Sequence, residues 1–443
     1  MQRWTRGVLS VAAVAGLAAG LLLVGAGAAP PPDSASTSAG TADPALQGIA
    51  GLQAELKRVP GNYPKWSSLG MAYLQRARLT ADPTFYGKAE AAFDMALQLR
   101  PSDNDAALTG KASLAAARHD FAEALTLTDQ SLAINDFSAT TYAVRFDALN
   151  ELGRYDEARA AVQRVLDLRP GLDALVRASY ALELRGDVEG ARDLLQQAAS
   201  DGRAASDGRA ASDGRAASDI AFAQYYLGEL AWNNGDLEGS RGAYQAALTA
   251  DPGYLAAVAG RAKVAAASGD PQAAERDYQR VVQQLPAPEF LVAYGELLES
   301  TGQSDAAQEQ YAVVRATQRL YAANGQDVDT ELALFEADHG TPSAAVASAE
   351  KAYARRPLAV LTQDAYAWAL HSAGRSEEAL PIARQAARLG LRSPVLAYHL
   401  GVIEAAVGDP VAARTSLRRA LDLNPAFNPL QAPKASALLA TLG

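Results

Sequence analysis

The stretch from Ala221 to Tyr254 carries the hydrophobic pattern of the whole chain. In its first half Tyr226, Leu230 and Trp232 recur around a helix that stops at Asn234-Gly235, where glycine tolerates a left-handed backbone. In its second half Leu237, Tyr244, Ala247 and Leu248 recur mostly at three- and four-residue steps, as far as Asp251-Pro252. Proline cannot continue the helical ladder and pushes its predecessor out of the α region. The pattern predicts two short amphipathic helices joined by a tight turn, a helical hairpin. Neither helix can bury its apolar stripe alone, so the hairpin requires neighbours of its own kind.

The neighbours are present. Inter-helix glycines recur at Gly153, Gly186, Gly235, Gly269, Gly302, Gly340, Gly374 and Gly408, with gaps of 33, 49, 34, 33, 38, 34 and 34 residues. Five positions after each stands a small residue: Ala158, Ala191, Ser240, Ala274, Ala307, Ala345, Ala379 and Ala413. A small side chain there lets the second helix approach the first closely. Pro60, Pro101, Pro170, Pro252, Pro286, Pro357 and Pro425 close units in the same register. The first full unit places Trp66, Leu69, Gly70 and Tyr73 in one helix and Ala89, Phe93, Ala96 and Pro101 in the next.

A period near 34 residues with this punctuation resembles the tetratricopeptide repeat. The resemblance covers ten repeats between about Tyr63 and Pro425. It implies an all-α, right-handed superhelical solenoid of stacked antiparallel helix hairpins. Some copies depart from the pattern. His119 takes the glycine position of the second repeat, and an insertion between Tyr73 and Ala89 lengthens the first. The fourth, seventh and ninth repeats lack the closing proline.

The flanks read differently. Residues 1–28 combine Arg3 and Arg6, an uncharged run through Leu21-Leu22-Leu23-Val24, and Ala26-Gly27-Ala28, which is a cleavage-site pattern. They are expected to be a signal peptide. The alternative is an uncleaved anchor over residues 7–29, since the run is long enough to span a bilayer. Either way the repeats would be exported, secreted or associated with the cell envelope. Residues 29–42 are rich in Pro, Ser, Thr, Ala and Gly and read as a disordered linker. Over 43–60, Asp43-Pro44 opens a helix whose stripe is Leu46, Ile49, Leu52 and Leu56, a half repeat capping the stack. The solenoid then spans 61–427, and 428–443 supplies a capping helix with Leu430, Leu438, Leu439 and Leu442. The starts Asp270-Pro271, Thr341-Pro342 and Asp409-Pro410 each follow a turn glycine and fix the helix register independently. Within the solenoid, residues 200–217 are SDGRAA three times over. A six-residue period holds no class of residue on one helix face. That predicts a surface loop or a ragged extension of the fourth repeat's second helix.

Composition narrows the function classes. A net charge of −10 argues against general nucleic-acid binding, which needs clustered Lys and Arg. The absence of cysteine excludes disulfides, thiol catalysis and Cys-ligated zinc. Of the four histidines, His119 and His339 are expected at solvated hairpin turns. His371 and His399 lie on first helices of adjacent repeats, where they either share a groove with Trp368 and Tyr398 or sit apart on the surface. No pair has the i, i+4 spacing of a helical metal site. No phosphate-binding glycine loop and no G-x-S-x-G elbow occurs. No catalytic residue, cofactor or metal site is expected.

The resemblance implies that the first helix of each hairpin lines a concave groove. Its groove-facing positions hold Asp147, Glu151, Asp173, Glu183, Glu229, Glu289, Glu296, Glu299, Asp327, Glu331, Asp338 and Asp364, against only Arg177 and Lys263. Aromatics join them at Tyr180, Tyr225, Tyr226, Trp232, Trp368 and Tyr398, either as recognition anchors or as core residues at a neighbouring register. The chain is therefore read as a non-enzymatic scaffold whose acidic, aromatic-lined groove takes a basic or amphipathic protein segment. The alternatives are an envelope protein that binds glycan polymer on the same residues, and a repeat-borne hydrolase.

Overall fold

The computed structural model describes residues 44–208 and 215–443. Residues 1–43, where a signal peptide and a linker are expected, and residues 209–214 of the SDGRAA insertion lie outside the described residues. Among the described residues nearly every α-helix packs along its successor, and no strand occurs. None of these helices is long and apolar enough to cross a membrane.

The lone helix α1 (Pro44–Arg58) is followed by ten hairpins. They are α2 (Tyr63–Thr80) with α3 (Phe85–Leu99), α4 (Asp105–Ala117) with α5 (Phe121–Ile134), and α6 (Ala139–Glu151) with α7 (Tyr155–Leu168). Next come α8 (Leu172–Glu183) with α9 (Val188–Gly208), α10 (Arg215–Asn233) with α11 (Leu237–Ala250), and α12 (Leu255–Ala267) with α13 (Pro271–Gln284). The last four are α14 (Pro288–Ser300) with α15 (Ser304–Ala323), α16 (Asp329–His339) with α17 (Pro342–Arg355), α18 (Val360–Ser372) with α19 (Ser376–Ala386), and α20 (Pro394–Ala406) with α21 (Pro410–Leu423). The closing helix α22 (Gln431–Thr441) completes the series. The described parts of the SDGRAA insertion continue α9 and begin α10.

In three hairpins the stacking rests on a ring seated where a neighbour has no side chain. Tyr244 of α11 is fully buried between two first helices. A Cβ added at Gly228 of α10 or Gly260 of α12 would stand 2.3 and 2.5 Å from its ring. Phe93 sits in the same way against Gly70 and Gly110, and Tyr311 against Gly295. The small residues of the second helices, from Ala158 and Ala191 through Ser240 to Ala413, are all at most 1% exposed. They are the close approach within each hairpin. Asp270, Thr341 and Asp409 cap α13, α17 and α21 by accepting from the backbone N–H of Ala273, Ala344 and Ala412 at 2.9, 3.4 and 3.1 Å.

The turns follow the glycine pattern with three informative exceptions. His119 and Ala81 occupy the glycine position of their hairpins and still take φ of +60° and +50°. The turn geometry thus overrides the side-chain penalty there. Gly340 does the opposite, with φ −131°.

The stack curls until it meets itself. The turn of the third hairpin touches the loop leading into the ninth, where a Cβ on Gly153 would lie 2.3 Å from the carbonyl carbon of Leu358. A Cβ on Gly186 of the fourth would lie 2.6 Å from the Gly390 carbonyl oxygen, and one on Gly235 of the fifth 2.3 Å from that of Leu423. Hydrogen bonds lock this seam. Val360 N–H donates to the Tyr155 hydroxyl (2.9 Å), Arg392 to the Asn234 side chain (2.7 Å), and Asn424 to the Trp232 carbonyl (2.8 Å). Lower down, Asp327 N–H donates to the Arg118 carbonyl at 2.8 Å. The superhelix therefore closes on itself after about six hairpins, and its inner face becomes a narrow lumen.

Two stability predictions follow from these contacts. Ala158→Leu should overpack the third hairpin and cost about 1–3 kcal/mol, whereas exposed Arg159→Ala should leave the chemical denaturation midpoint nearly unchanged. Gly269 and Gly153 share a positive φ, but nothing lies within 4 Å of a Cβ at Gly269. Gly269→Ala should cost about 1 kcal/mol for the backbone alone, and Gly153→Ala at least about 1 kcal/mol more because the seam must part.

Candidate functional site

The inner faces of the first helices carry the acids and aromatics expected of them, but closure covers most of these side chains. In hairpins three to six every carboxylate found there meets an internal donor. Arg177 of α8 is 1% exposed and forks onto Asp147 of α6 at 3.0 and 2.8 Å, while its other amino group pairs with Asp173. Lys263 of α12 bridges both oxygens of Glu229 at 2.7 Å, and the Tyr244 hydroxyl donates to the same carboxylate. Glu183 accepts from Asn233 at 3.4 Å, and Glu151 pairs across the seam with Arg356 at 3.3 Å. A buried charge left unpaired is costly, so these partners are a condition of closure.

The aromatics divide in the same way. Tyr225, Tyr226 and Trp232 belong to the continuous core with Tyr180, Tyr244 and Tyr254, which corrects the expectation of an open groove wall there. Lys263 lies 5.4 Å from the Trp232 ring, so even the cation–π position is filled from within. Trp368, Tyr398 and His399 are also buried, yet they form a separate cluster at the far end of the stack. The Trp368 indole stacks between His399 (4.1 Å) and His371 (5.1 Å), and Tyr398 tilts against it at 5.7 Å. His399 hydrogen-bonds Asp364 at 2.9 Å and His371 bonds Ser376 at 2.9 Å. The two histidines thus share one aromatic stack rather than sitting apart.

Hairpins seven and eight differ in charge balance. Asp327 pairs with Arg355 at 2.7 Å. For Glu296, the cationisable partner is His339 at 3.3 Å, with Glu299 3.9 Å from the same ring. Glu331 keeps one buried carboxylate oxygen without a hydrogen-bond partner. Glu289 is half-buried beside it, whereas Glu299 and Asp338 reach the surface. His339 itself is corrected. Its side chain is 5% exposed and stacks on Tyr311 at 4.3 Å, so it is not a solvated turn residue. His119 likewise stacks on Phe121 at 5.5 Å.

The segment joining α21 to α22 enters this end of the lumen. Phe427 is buried against Tyr398 (5.7 Å) in the cluster that holds Trp368. Asn428 donates to Glu296 at 2.9 Å, and Gln431 to Asp338 at 3.2 Å, while the other oxygen of Asp338 accepts from the Trp368 indole at 2.9 Å. Sequence reasoning missed Phe427, Asn428, Gln431, His339 and Arg356. Their partners lie 29 to 205 residues away, and no local periodicity reports such pairs. Among the described residues no group of three or more His, Asp or Glu is placed to hold a metal ion.

A family match agrees with this architecture. The family profile described as tetratricopeptide repeat matches residues 144–210, 208–254 and 260–324. No curated protein matches the sequence. Among solved structures the chain is similar to yeast Tom70 at 15% identity, covering 89% of this chain and 96% of that one with a TM-score of 0.38. A tetratricopeptide repeat protein from Parabacteroides merdae matches at 16% identity over 61% of this chain and 98% of its own, with a TM-score of 0.33. The human IFIT1 dimer, solved with m7Gppp-AAAA, matches at 15% identity over 78% and 77%, with a TM-score of 0.45.

The lumen predicts how stability changes with pH. Burial pushes Glu183 and Glu289 up to about 7, against about 4.3 in an unfolded chain. Between those values the folded state holds protons that the unfolded chain has released, so stability falls as pH rises towards 7. His339 acts in the same direction. Burial lowers its affinity for a proton, but the hydrogen bond and charge of Glu296 raise it more, so its contribution is lost as pH rises through the folded value. His371 is lowered by burial and by His399, and it opposes this trend only on the acid side. Thermal scans should give a lower Tm at pH 8 than at pH 6, and Glu183→Gln should shrink the difference. An equal Tm at both values would show that these carboxyls remain hydrated.

Proposed function

Because the chain belongs to the tetratricopeptide-repeat family, we propose that it is a non-enzymatic scaffold for a basic or amphipathic segment of another protein. The surface that receives the segment is the acidic end of the lumen, at Glu296, Glu299, Glu331 and Asp338. One observation carries this reading. Asp147, Glu151, Asp173 and Glu229 are paired with Arg177, Arg356 and Lys263, whereas Glu296 and Glu299 have the titratable His339 as their nearest cationisable neighbour, and Asp338 is met by the neutral donors of Trp368 and Gln431. A surplus of negative charge on a rigid concave wall attracts cationic segments over several ångströms and rejects acidic ones. Trp368 and Tyr398 lie beside it, buried under Phe427. The sequence of residues 1–28 supports export, with the scaffold acting outside the cytoplasm.

Anisotropy titrations with a labelled basic amphipathic peptide and an acidic one of equal length test this reading. The basic peptide should bind, with an affinity that falls steeply between 50 and 500 mM salt on the general grounds of charge screening. Glu299→Gln with Asp338→Asn should weaken it about tenfold, in line with the loss of two close charge contacts. Equal binding of the two peptides, or no response to salt, would overturn the charge reading.

A further inference from the structure

The segment from Phe427 to Gln431 contacts the concave wall as a bound peptide would. Its ring packs on Tyr398 of α20 in the cluster shared with Trp368 of α18. One residue later, Asn428 reaches Glu296 of α14. Four residues after the ring, Gln431 reaches Asp338 of α16. An ordinary link between two adjacent helices has no need of contacts on the first helices of hairpins seven, eight and ten. The segment is also uncharged from Asn424 to Pro433, so it meets two carboxylates with neutral carboxamides. A cationic donor at the same place would add a Coulomb attraction to the carboxylate that a neutral carboxamide does not supply.

We propose that this wall is a peptide-binding surface for a turn-forming segment carrying an aromatic side chain followed, one and four residues later, by hydrogen-bond donors. Residues 427–431 are its resident occupant. The inference rests on the scaffold reading above and specifies the partner's chemistry. A partner with Arg or Lys at the two donor positions places charged donors on Glu296 and Asp338, and so displaces the resident segment. The occupant makes the surface a closed one that opens only to a competitor of this pattern.

A variant can displace the segment without removing its structural role. The Asn428 side-chain oxygen also accepts from the backbone N–H groups of Leu430 and Gln431 at 2.8 and 2.9 Å, which holds the start of α22. Asn428→Asp keeps that acceptor but turns a carboxylate against Glu296, and Phe427→Ala removes the ring. The full chain carrying both changes is titrated with two labelled decapeptides. One has the chain's own sequence from Asn424 to Pro433, and the other has the same sequence with N428R and Q431K. The own-sequence peptide should bind the double variant at least tenfold more tightly than the unaltered chain, and the cationic peptide more tightly again.

Equal affinity of the own-sequence peptide for both chains, with helicity retained by circular dichroism, would overturn the proposal. If the double variant loses helicity, Phe427→Ala alone is titrated against the same criterion. Binding of the own-sequence peptide without any gain for the cationic one would leave the resident-occupant inference standing and sink the charge reading. The reverse pattern, with the basic peptide binding both chains alike, would sink the inference and spare the scaffold reading.

Discussion

The structure depends on a contact between two stretches of backbone. The turns of the third, fourth and fifth hairpins press against the loops leading into and out of the last hairpins, with room for a hydrogen but not for a methyl group. Curvature in a stacked repeat is the sum of small rotations, and most such sums leave a gap between successive superhelical turns. Here the gap is closed. Glycine at Gly153, Gly186 and Gly235 serves two requirements together, a left-handed turn and a bare surface. Gly269, Gly302, Gly374 and Gly408 serve only the first. The seam sets the width of the lumen, and the width of the lumen decides which acids must find partners inside.

The hairpins were legible in the sequence because each of their requirements is local. A ring at Tyr244 needs no side chain at Gly228 or Gly260, a turn needs a positive φ, and a second helix needs a small residue where it crosses the first. These recur every 34 residues or so and agree in phase, which is why departures such as His119 did not blur the register. Helical phase also put Asp147, Glu229, Glu296 and Asp338 on the inner face. It could not reveal that the face is covered, because coverage depends on where a hairpin six repeats away arrives. Tyr225, Tyr226 and Trp232 look alike as recognition anchors and as core residues for the same reason. An aromatic stripe reports a face, and only the accumulated curvature reports whether that face is wet.

The charge balance along the lumen shows the consequence. Of the two cations among the groove positions, Arg177 pairs with two carboxylates, Asp147 and Asp173, and Lys263 with both oxygens of Glu229. Arg356 comes from the end of a second helix and reaches Glu151 only through the seam. Towards the seventh and eighth hairpins the cations give way to His339 and to two carboxamides. Those donors satisfy the geometry of a carboxylate without cancelling its charge. Glu296 and Asp338 are thus hydrogen-bonded by carboxamides, where Asp147, Glu151 and Glu229 are paired with Arg or Lys.

That difference bears on what an incoming segment must overcome. An occupant tethered to the last hairpin is present at an effective concentration of roughly millimolar or more, so a free ligand of equal affinity hardly competes. A fractionally open site lowers the apparent affinity of any ligand by the open fraction. The free ligand therefore needs a contact that the resident segment cannot make. Charge provides one, since a guanidinium or ammonium group on Glu296 or Asp338 gains what Asn428 and Gln431 leave unused. A second copy of an uncharged segment would gain nothing over the tethered one. Selectivity at this surface arises from what its own occupant lacks, and the missing charge is readable in the sequence from Asn424 to Pro433 once the wall it faces is known.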